Sequence, residues 1–326
     1  MAEKNILVLS AGRRVELVKC FKNAAQKLGI HTKIYAADIS NTAPALYFAD
    51  EFRIVSRINS GRYIDDIIEI CNNDNIDLIV PTIDTELEIL AKNKELIESK
   101  TKAIVHVSDE RVVAICNDKI KSYEFFVDNG FLAPKLVSEE DIKNENYQLP
   151  LFIKPLNGSS SINTFKINTK DELEFFYGYV KEPMVQEFIS GDEFTVDVFC
   201  DFSGNVLSVT PRIRIATRSG EILKGQIKMD SEIIEDVIKL LKVLKPIGHI
   251  TVQCMKTKRG IEYIEINPRF GGGAPMSIKA GADSCEYLYR LLLGEELEFM
   301  NNAKDGLYFS RFDDCVVLDE ELRQIK

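Results

Sequence analysis

Histidine is scarce in this sequence, and its scarcity removes a whole class of chemistry. Only His31, His106 and His249 occur in 326 residues, far apart and with no ligand-spaced pair, so histidine-based metal chemistry has no constellation to stand on. The seven cysteines, Cys20, Cys71, Cys116, Cys200, Cys254, Cys285 and Cys315, form an odd set without a CxxC pair. Mostly placed in apolar runs, they read as buried reduced thiols rather than disulfides or a zinc site. Long apolar runs are missing as well. Stretches such as Ile6–Leu9 and Leu78–Val80 fall far short of the roughly 20 residues that a membrane-spanning helix needs. The N-terminal residues 1–14 have an acid at position 3 and a turn directly after one short apolar run, which is not the profile of a secretory leader, so a cytoplasmic location is expected. Positive charge is in deficit too: 41 Lys and Arg against 51 Asp and Glu leave a net charge of −10. Such a chain does not bind nucleic acid through its bulk field, and any anion it holds must meet a local cluster of cations.

Core-forming residues are plentiful, at 45% apolar against 28% charged. The length of 326 residues exceeds what one hydrophobic core usually serves, which predicts two or three domains. Residues 5–10 and 33–38 read as short strands around a helix at 15–28. A helix over 63–72, a strand over 77–81, a helix over 86–99 and a strand over 103–107 continue the alternation. Strands separated by helices imply βαβ units and a doubly wound sheet. Ligands of such sheets gather at the carboxyl ends of the strands. Those ends carry Ser10-Ala11-Gly12-Arg13-Arg14, Asp38, and Pro81-Thr82-Ile83-Asp84 with Glu86.

A helix over 118–129 that stops at Gly130 opens a second segment. Strand 151–154 follows, then Pro155-Leu156-Asn157-Gly158-Ser159-Ser160-Ser161, strand 164–167 and helix 170–180. From Met184 onward the pattern changes to long β runs, at 184–189, 193–200, 206–216, 249–257 and 261–267. One helix over 232–244 interrupts them and a helical stretch ends near Gly294, which suggests an antiparallel sheet lobe.

Four constellations carry chemistry. In strand 261–267, side-chain alternation predicts Tyr263, Glu265 and Asn267 on one face with Ile264 and Ile266 on the other. An antiparallel partner offering Thr251, Gln253 and Met255 would set Gln253 beside Glu265. One carboxylate and two amide oxygens are hard ligands suited to Mg²⁺; an exposed polar sheet face is the plain alternative. Next, Gly158 with three serines offers backbone N–H groups, hydroxyls and little bulk, as a phosphate clamp requires, and Lys154 can neutralise a phosphate oxygen. A surface turn would look the same, and the Walker A pattern is absent. Third, Glu187 and Glu193 flank Ser190-Gly191, placed to hold ribose hydroxyls while the backbone of Gln186 to Ile189 reads an adenine edge. Fourth, Arg212 and Arg214 face one side of a β run, with Arg218 after it, as an anion site or as solvated charge. At the first strand's end Arg13 and Arg14 sit at a helix N-terminus, a place for a substrate carboxylate or phosphate if they are more than solvated arginines.

In order along the chain, Asn117-Asp118-Lys119, FIKP around Lys154, the GSSS loop, VQEFISGDEFTVDVF, the arginine strand, TVQCM and IEINPRFGGG together resemble the ATP-grasp superfamily. The branch most similar is that of single-chain enzymes like the large subunit of carbamoyl phosphate synthase. The resemblance covers about residues 111–294. It implies an α/β and α+β chain: a doubly wound pre-ATP-grasp domain over 1–110, an ATP-grasp small lobe with the phosphate loop over 111–183, and a large lobe with the metal site over 184–326. By the same resemblance Lys119 and Lys154 contact the α- and β-phosphates of ATP, and Gly158, Ser159, Ser160 and Ser161 close over the β- and γ-phosphates. Gln186, Glu187, Phe188 and Ile189 line the adenine, and Glu193 takes the ribose. Gln253, Glu265 and Asn267 bind two Mg²⁺ or Mn²⁺ ions, and Arg269 steadies the transferring phosphoryl group. Many members carry an acid where Gln253 stands; glutamine is the carbamoyl phosphate synthase type. Arg13, Arg14, Arg212 and Arg214 are the candidate substrate contacts. The implied reaction joins a small-molecule carboxylate to an amine through an acyl phosphate, with no nucleic-acid or membrane partner and with a homodimer left open. A phosphotransferase of the carbamate-kinase type and a non-catalytic nucleotide-binding protein are the alternatives.

Overall fold

The computed structural model describes residues 3–158, 162–218 and 220–325. Its N-terminal sheet is formed by β1 (Asn5–Val8), β2 (Ile34–Asp38), β3 (Glu51–Ile54), β4 (Ile76–Val80) and β5 (Ile104–Val105), all parallel in the order β3-β2-β1-β4-β5. Every residue of β1 and of β4 is buried, as expected of parallel strands covered on both faces. Helix α1 (Val15–Leu28) covers one face. Helices α2 (Tyr63–Asn73), α3 (Leu87–Lys92) and α4 (Lys94–Lys100) cover the other. The helix read over 86–99 is thus interrupted, with Asn93 as the break, and β3 is a short edge strand whose EFRI sequence gave no alternation signal. Strand order reverses beside β1, so the crevice at the carboxyl ends of β1 and β4 is the topological switch point. Gly12 turns the chain there with φ of 43°, and its N–H donates to Asp38 Oδ2 at 2.8 Å.

Two helices, α5 (Glu110–Asn117) and α6 (Lys119–Asp128), follow, with α7 (Glu139–Lys143) after them. A three-stranded antiparallel sheet then forms from β6 (Leu151–Pro155), β7 (Phe165–Ile167) and β8 (Pro183–Glu187), ordered β7-β6-β8, over α8 (Lys170–Tyr179). The large sheet is antiparallel: β9 (Asp192–Cys200), β10 (Val206–Arg218), β11 (Glu221–Ile227), β12 (Gly248–Thr257), β13 (Gly260–Asn267) and β14 (Tyr308–Ser310), ordered β13-β12-β9-β10-β11-β14. Helix α9 (Ser231–Leu244) packs on one face, while α10 (Ala274–Ala280) and α11 (Ser284–Leu292) lie on the other.

Packing shifts the lobe edges away from 111 and 184. Val112 of α5 and Phe126 of α6 are buried in the same core as Val196, Val252 and Tyr263 of the large sheet, because their apolar faces meet β13 rather than the small sheet. At the other edge, β8 pairs with β6 from Leu151↔Glu187 to Pro155↔Pro183, so the small sheet runs on to Glu187. The N-terminal domain and the large lobe share one core: Val8 and Phe21 pack with Phe270, Ala274 and Leu288. Among the cysteines, Cys20, Cys71, Cys200, Cys254 and Cys285 are buried and Cys315 is exposed, all unpaired.

Candidate active site

A cleft of about 330 Å³ opens between the small and large sheets, lined by Lys119, Lys154, Gln186, Glu193, Gln253 and Glu265 among others. Sequence-distant residues meet here because β6, β8, β12 and β13 all present one face to it. Lys119 begins α6, where Asp118 caps the helix. Its Nζ donates to the carbonyls of Pro155, Leu156 and Gly158 at 2.6, 2.9 and 3.1 Å, so it holds the near end of the proposed phosphate loop. Ser159, Ser160 and Ser161 lie outside the described residues. Burial pushes the Lys154 ammonium down to about 8; Glu265 opposes that shift and the charge of Lys119 adds to it. Lys119 and Lys154 both stand near Glu265, and a polyphosphate placed between them would restore the charge that burial takes from Lys154.

Gln253 stands opposite Glu265 in the register of β12 and β13. Its Nε2 donates to Glu265 Oε1 at 2.6 Å, and Asn267 Nδ2 donates to the same oxygen at 3.0 Å. The three residues expected to hold metal therefore converge on one atom. Both amide oxygens face arginines, Gln253 Oε1 accepting from Arg214 and Asn267 Oδ1 from Arg269, and the all-oxygen set that suits Mg²⁺ requires both amides to rotate away from them. The alternation expected in this strand is broken at one point, however. The register shifts between Gln253/Cys254, which pairs Cys254 with Tyr263 and leaves Ile264 as an extra residue. Tyr263 consequently turns into the core, stacked on Phe126, and Ile264 turns into the cleft. A β-bulge beside a site re-aims a side chain in this way.

Glu187 lines the cleft but is held in place. Its Oε1 accepts the Lys135 N–H at 2.8 Å, and Arg259 donates to both Glu187 and the buried Glu262. The N–H groups of Glu187 and Phe188 are taken by the carbonyls of Lys135 and Pro150. Glu193 pairs with Arg214 at 3.1 Å, and Arg214 also donates to Gln253 Oε1 at 2.9 Å. Arg214 thus ties the expected ribose residue to the expected metal set. Arg212 departs from the substrate-facing set. It is 2% exposed and donates to Asp197 Oδ2 and Oδ1 at 2.8 and 3.3 Å. Burial alone would raise the Asp197 carboxyl, but Arg212 and His249 together outweigh it and hold the group below the usual range. Ser277 of α10 donates to the same Asp197, so the pair fastens that helix to the sheet.

Arg269 reaches the N-terminal domain, where its Nη2 donates to Asp84 Oδ2 at 2.6 Å. Nearby, Arg14, Arg13 and Arg311 surround Glu221 at 3.3, 3.9 and 3.1 Å. Burial lowers the Arg14 guanidinium, with Glu221 opposing and with Arg269 and Arg311 reinforcing. Close packing explains the glycine run: a Cβ on Gly272 would lie 2.8 Å from Arg14 Nη1 and from Glu221 Oε1, and one on Gly273 would lie 2.5 Å from Arg212 Nη2. Glu221, Arg259 and Arg311 escaped the sequence reading. No motif surrounds them, and only the strand pairings bring them to the site.

Residues 6–107 match the PylC-like N-terminal domain family and residues 116–273 match the ATP-grasp domain family. The chain carries an ATP-grasp domain. Lys119, Lys154, Gln253, Glu265, Asn267 and Arg269 all fall inside its span. Among curated relatives, the chain is 24% identical to D-alanine–D-alanine ligase B of Clostridium perfringens over 279 residues, covering 77% of this chain and 92% of that one. Against the carbamoyl-phosphate synthase of Methanobrevibacter smithii it is 25% identical over 155 residues, which is 46% of this chain and 42% of the synthase. The biotin carboxylase domain of the Hydrogenobacter thermophilus 2-oxoglutarate carboxylase, solved with MgADP, ADP and bicarbonate, superposes with a TM-score of 0.71 at 20% identity over 94% of this chain and 73% of that one. At that identity the likeness establishes the fold. No helix among the described residues is long and apolar enough to cross a membrane.

Proposed function

We propose that the chain is an ATP-dependent carboxylate–amine ligase working through an acyl phosphate. One observation carries the reading: a cleft lined by Lys119, Lys154, Gln253 and Glu265 adjoins, through Asn267 and Arg269, Asp84 of the N-terminal domain, and that domain's Arg13 and Arg14 lie nearby. The relatives named as a ligase and a synthase are consistent with it. A substrate carboxylate oxygen attacks the γ-phosphorus, the bond to the β,γ-bridging oxygen breaks, and ADP leaves. An amine nitrogen then attacks the acyl carbon, the carbon–oxygen bond to phosphate breaks, and the nitrogen loses a proton to give the amide and phosphate.

The chain's own part is positioning and electrostatics. Lys154 holds phosphate oxygens, while Lys119, with its three N–H donors on the carbonyls of Pro155, Leu156 and Gly158, keeps the loop end in place and adds its charge. Glu193 is set toward the ribose by Arg214, and Gln186 to Ile189 wall the base. Arg269, released from Asp84, offers its charge to the phosphoryl group in transit. Glu265, Asn267 and Gln253 would hold Mg²⁺, which when bound supplies neutralisation of the β- and γ-phosphate charge. A panel of small carboxylates and amines with ATP and Mg²⁺, followed by phosphate release and product mass, tests this reading. A product at the summed mass of two substrates less water supports it; phosphate transfer to a stable ester would replace it with a phosphotransferase.

A further inference from the structure

The chain enters the small sheet's lobe through residues 131–137 and leaves it through residues 188–191, and one arginine stands across both connections. The first is tied to each side by its backbone: the Tyr263 N–H of β13 donates to the Leu132 carbonyl at 2.8 Å, and the Glu187 N–H of β8 donates to the Lys135 carbonyl at 2.9 Å. The second runs from β8 to β9 and lies close on β12, where a Cβ on Gly191 would come within 2.1 Å of the Lys256 carbonyl oxygen. Arg259 belongs to the β12–β13 turn. Toward β13 its Nε donates to Glu262 Oε1 at 3.1 Å and its Nη2 to Glu262 Oε2. Toward β8 its Nη1 donates to Glu187 Oε2 at 3.1 Å and its Nη2 to Glu187 Oε1.

The two carboxylates belong to different bodies. Glu262 is 1% exposed and also accepts from Thr257 Oγ1 at 2.8 Å, so its half of the contact is part of the large sheet. Glu187 closes β8 of the small sheet, and Arg259 is its partner on the other side. A planar guanidinium forked onto two carboxylates fixes their separation, which a single ammonium on a flexible stem does not. Glu187, Phe188 and Ile189 line the nucleotide cleft at the end read as the base site, while Lys154 and Glu265 line its phosphate end. The contact therefore bears on the width of the cleft where the base would lie.

We propose that Arg259 is a positioning residue for the nucleotide: it clasps the two sheets at the base end and holds the wall of Glu187 to Ile189 ready for the base, without touching the ligand itself. The inference rests on the reading that places the base against residues 186–189. A wall already held in place does not have to be ordered by the ligand, so the clasp acts on affinity. The Arg259 side chain is 52% exposed, which opens the contact to screening by salt and makes the firmness of the base end depend on ionic strength.

Equilibrium binding of ADP, adenosine and tripolyphosphate to the full chain tests it, with the unaltered protein, Glu187→Gln, Arg259→Met and the double variant. Arg259→Met leaves the buried Glu262 without its cation and lowers stability, whereas Glu187→Gln opens the clasp with Glu262 still held by Arg259 and Thr257. Each single variant should weaken ADP and adenosine by the same factor, about fivefold, and leave tripolyphosphate unchanged. The double variant should bind no more weakly than either single one, because both remove one contact. Adenosine is uncharged, so raising NaCl from about 0.05 M to about 0.5 M should weaken it roughly threefold in the unaltered chain and not at all in Glu187→Gln, an arm that does not need Arg259→Met to fold. Weaker adenosine binding by Glu187→Gln but not by Arg259→Met would put the Glu187 carboxylate on the base itself and overturn the clasp. Salt-independent adenosine binding by the unaltered chain, equal affinities in all four proteins, or a loss confined to tripolyphosphate would overturn it too. Failure of the unaltered chain to bind ADP would instead sink the nucleotide reading on which the clasp rests.

Discussion

Lys154 gives the sharpest quantitative consequence of the cleft. Its ammonium is pushed from an ordinary 10.5 to about 8 by burial, with only Glu265 opposing. Phosphate oxygens placed beside it restore the charged form, so the nucleotide complex binds a proton that the free protein has partly lost. At pH 9 about a tenth of the free protein carries that charge, and each further pH unit costs about tenfold in ATP affinity until the ordinary value is reached, a span worth roughly 3 kcal/mol. Calorimetry at pH 9 in two buffers of different ionisation enthalpy should record close to one proton taken up per ATP, and roughly none at pH 7. The stability of the free protein moves the opposite way. Between about 8 and 10.5 the unfolded chain holds more protons at this site, so the nucleotide-free protein gains stability as pH rises through that window. Lys154→Met removes a buried charge, so the free protein should melt higher while ATP binding weakens and loses its pH dependence. A flat ATP affinity from pH 7 to 10 with no buffer-dependent heat would refute the placement of Lys154 against phosphate.

Glu265→Gln leaves the fold intact and should lower kcat about 10³-fold, the scale of losing major electrostatic stabilisation; steady-state ATP turnover of the purified variant within tenfold of the unaltered enzyme would contradict its role. Arg14→Ala should raise KM for the carboxylate at least about tenfold with KM for ATP nearly unchanged, because the lost contact belongs to one substrate. Asp197→Ala strands Arg212 as a buried charge and should cost about 3–5 kcal/mol in urea unfolding. The contribution of Asp197 is full above its ordinary value of 3.8 and is lost as pH falls through the lowered folded value, so the difference between variant and parent should shrink in acid.

Much of this arrangement is local and therefore readable. The parallel sheet is legible in short apolar strands separated by amphipathic helices, and the Gln253–Glu265 pairing in two adjacent strands of opposite direction. The close packing of the glycine run after Arg269 against Arg14 and Arg212 is seen only in the structure. What escaped depends on exceptions to periodicity or on distant pairings. The extra residue at Ile264 breaks period two by a bulge that residue types do not specify. Arg212 looks like its neighbour Arg214, yet one is locked to Asp197 and the other lines the cleft, a difference set by what packs above the strand. Arg311 meets Glu221 across 90 residues of chain, and nothing in either neighbourhood marks the pairing.

The most direct test of the ligase account is trapping of its intermediate. The full chain, incubated with ATP, Mg²⁺, a panel of small carboxylates and hydroxylamine in the absence of any other amine, should form the hydroxamate of the accepted carboxylate in step with ADP and phosphate, one for one. Glu265→Gln should suppress hydroxamate and ADP together. ADP formed in step with a stable phosphate ester, or ATP consumed on a carboxylate verified to bind without any hydroxamate, would contradict an acyl phosphate and with it the account given of this cleft.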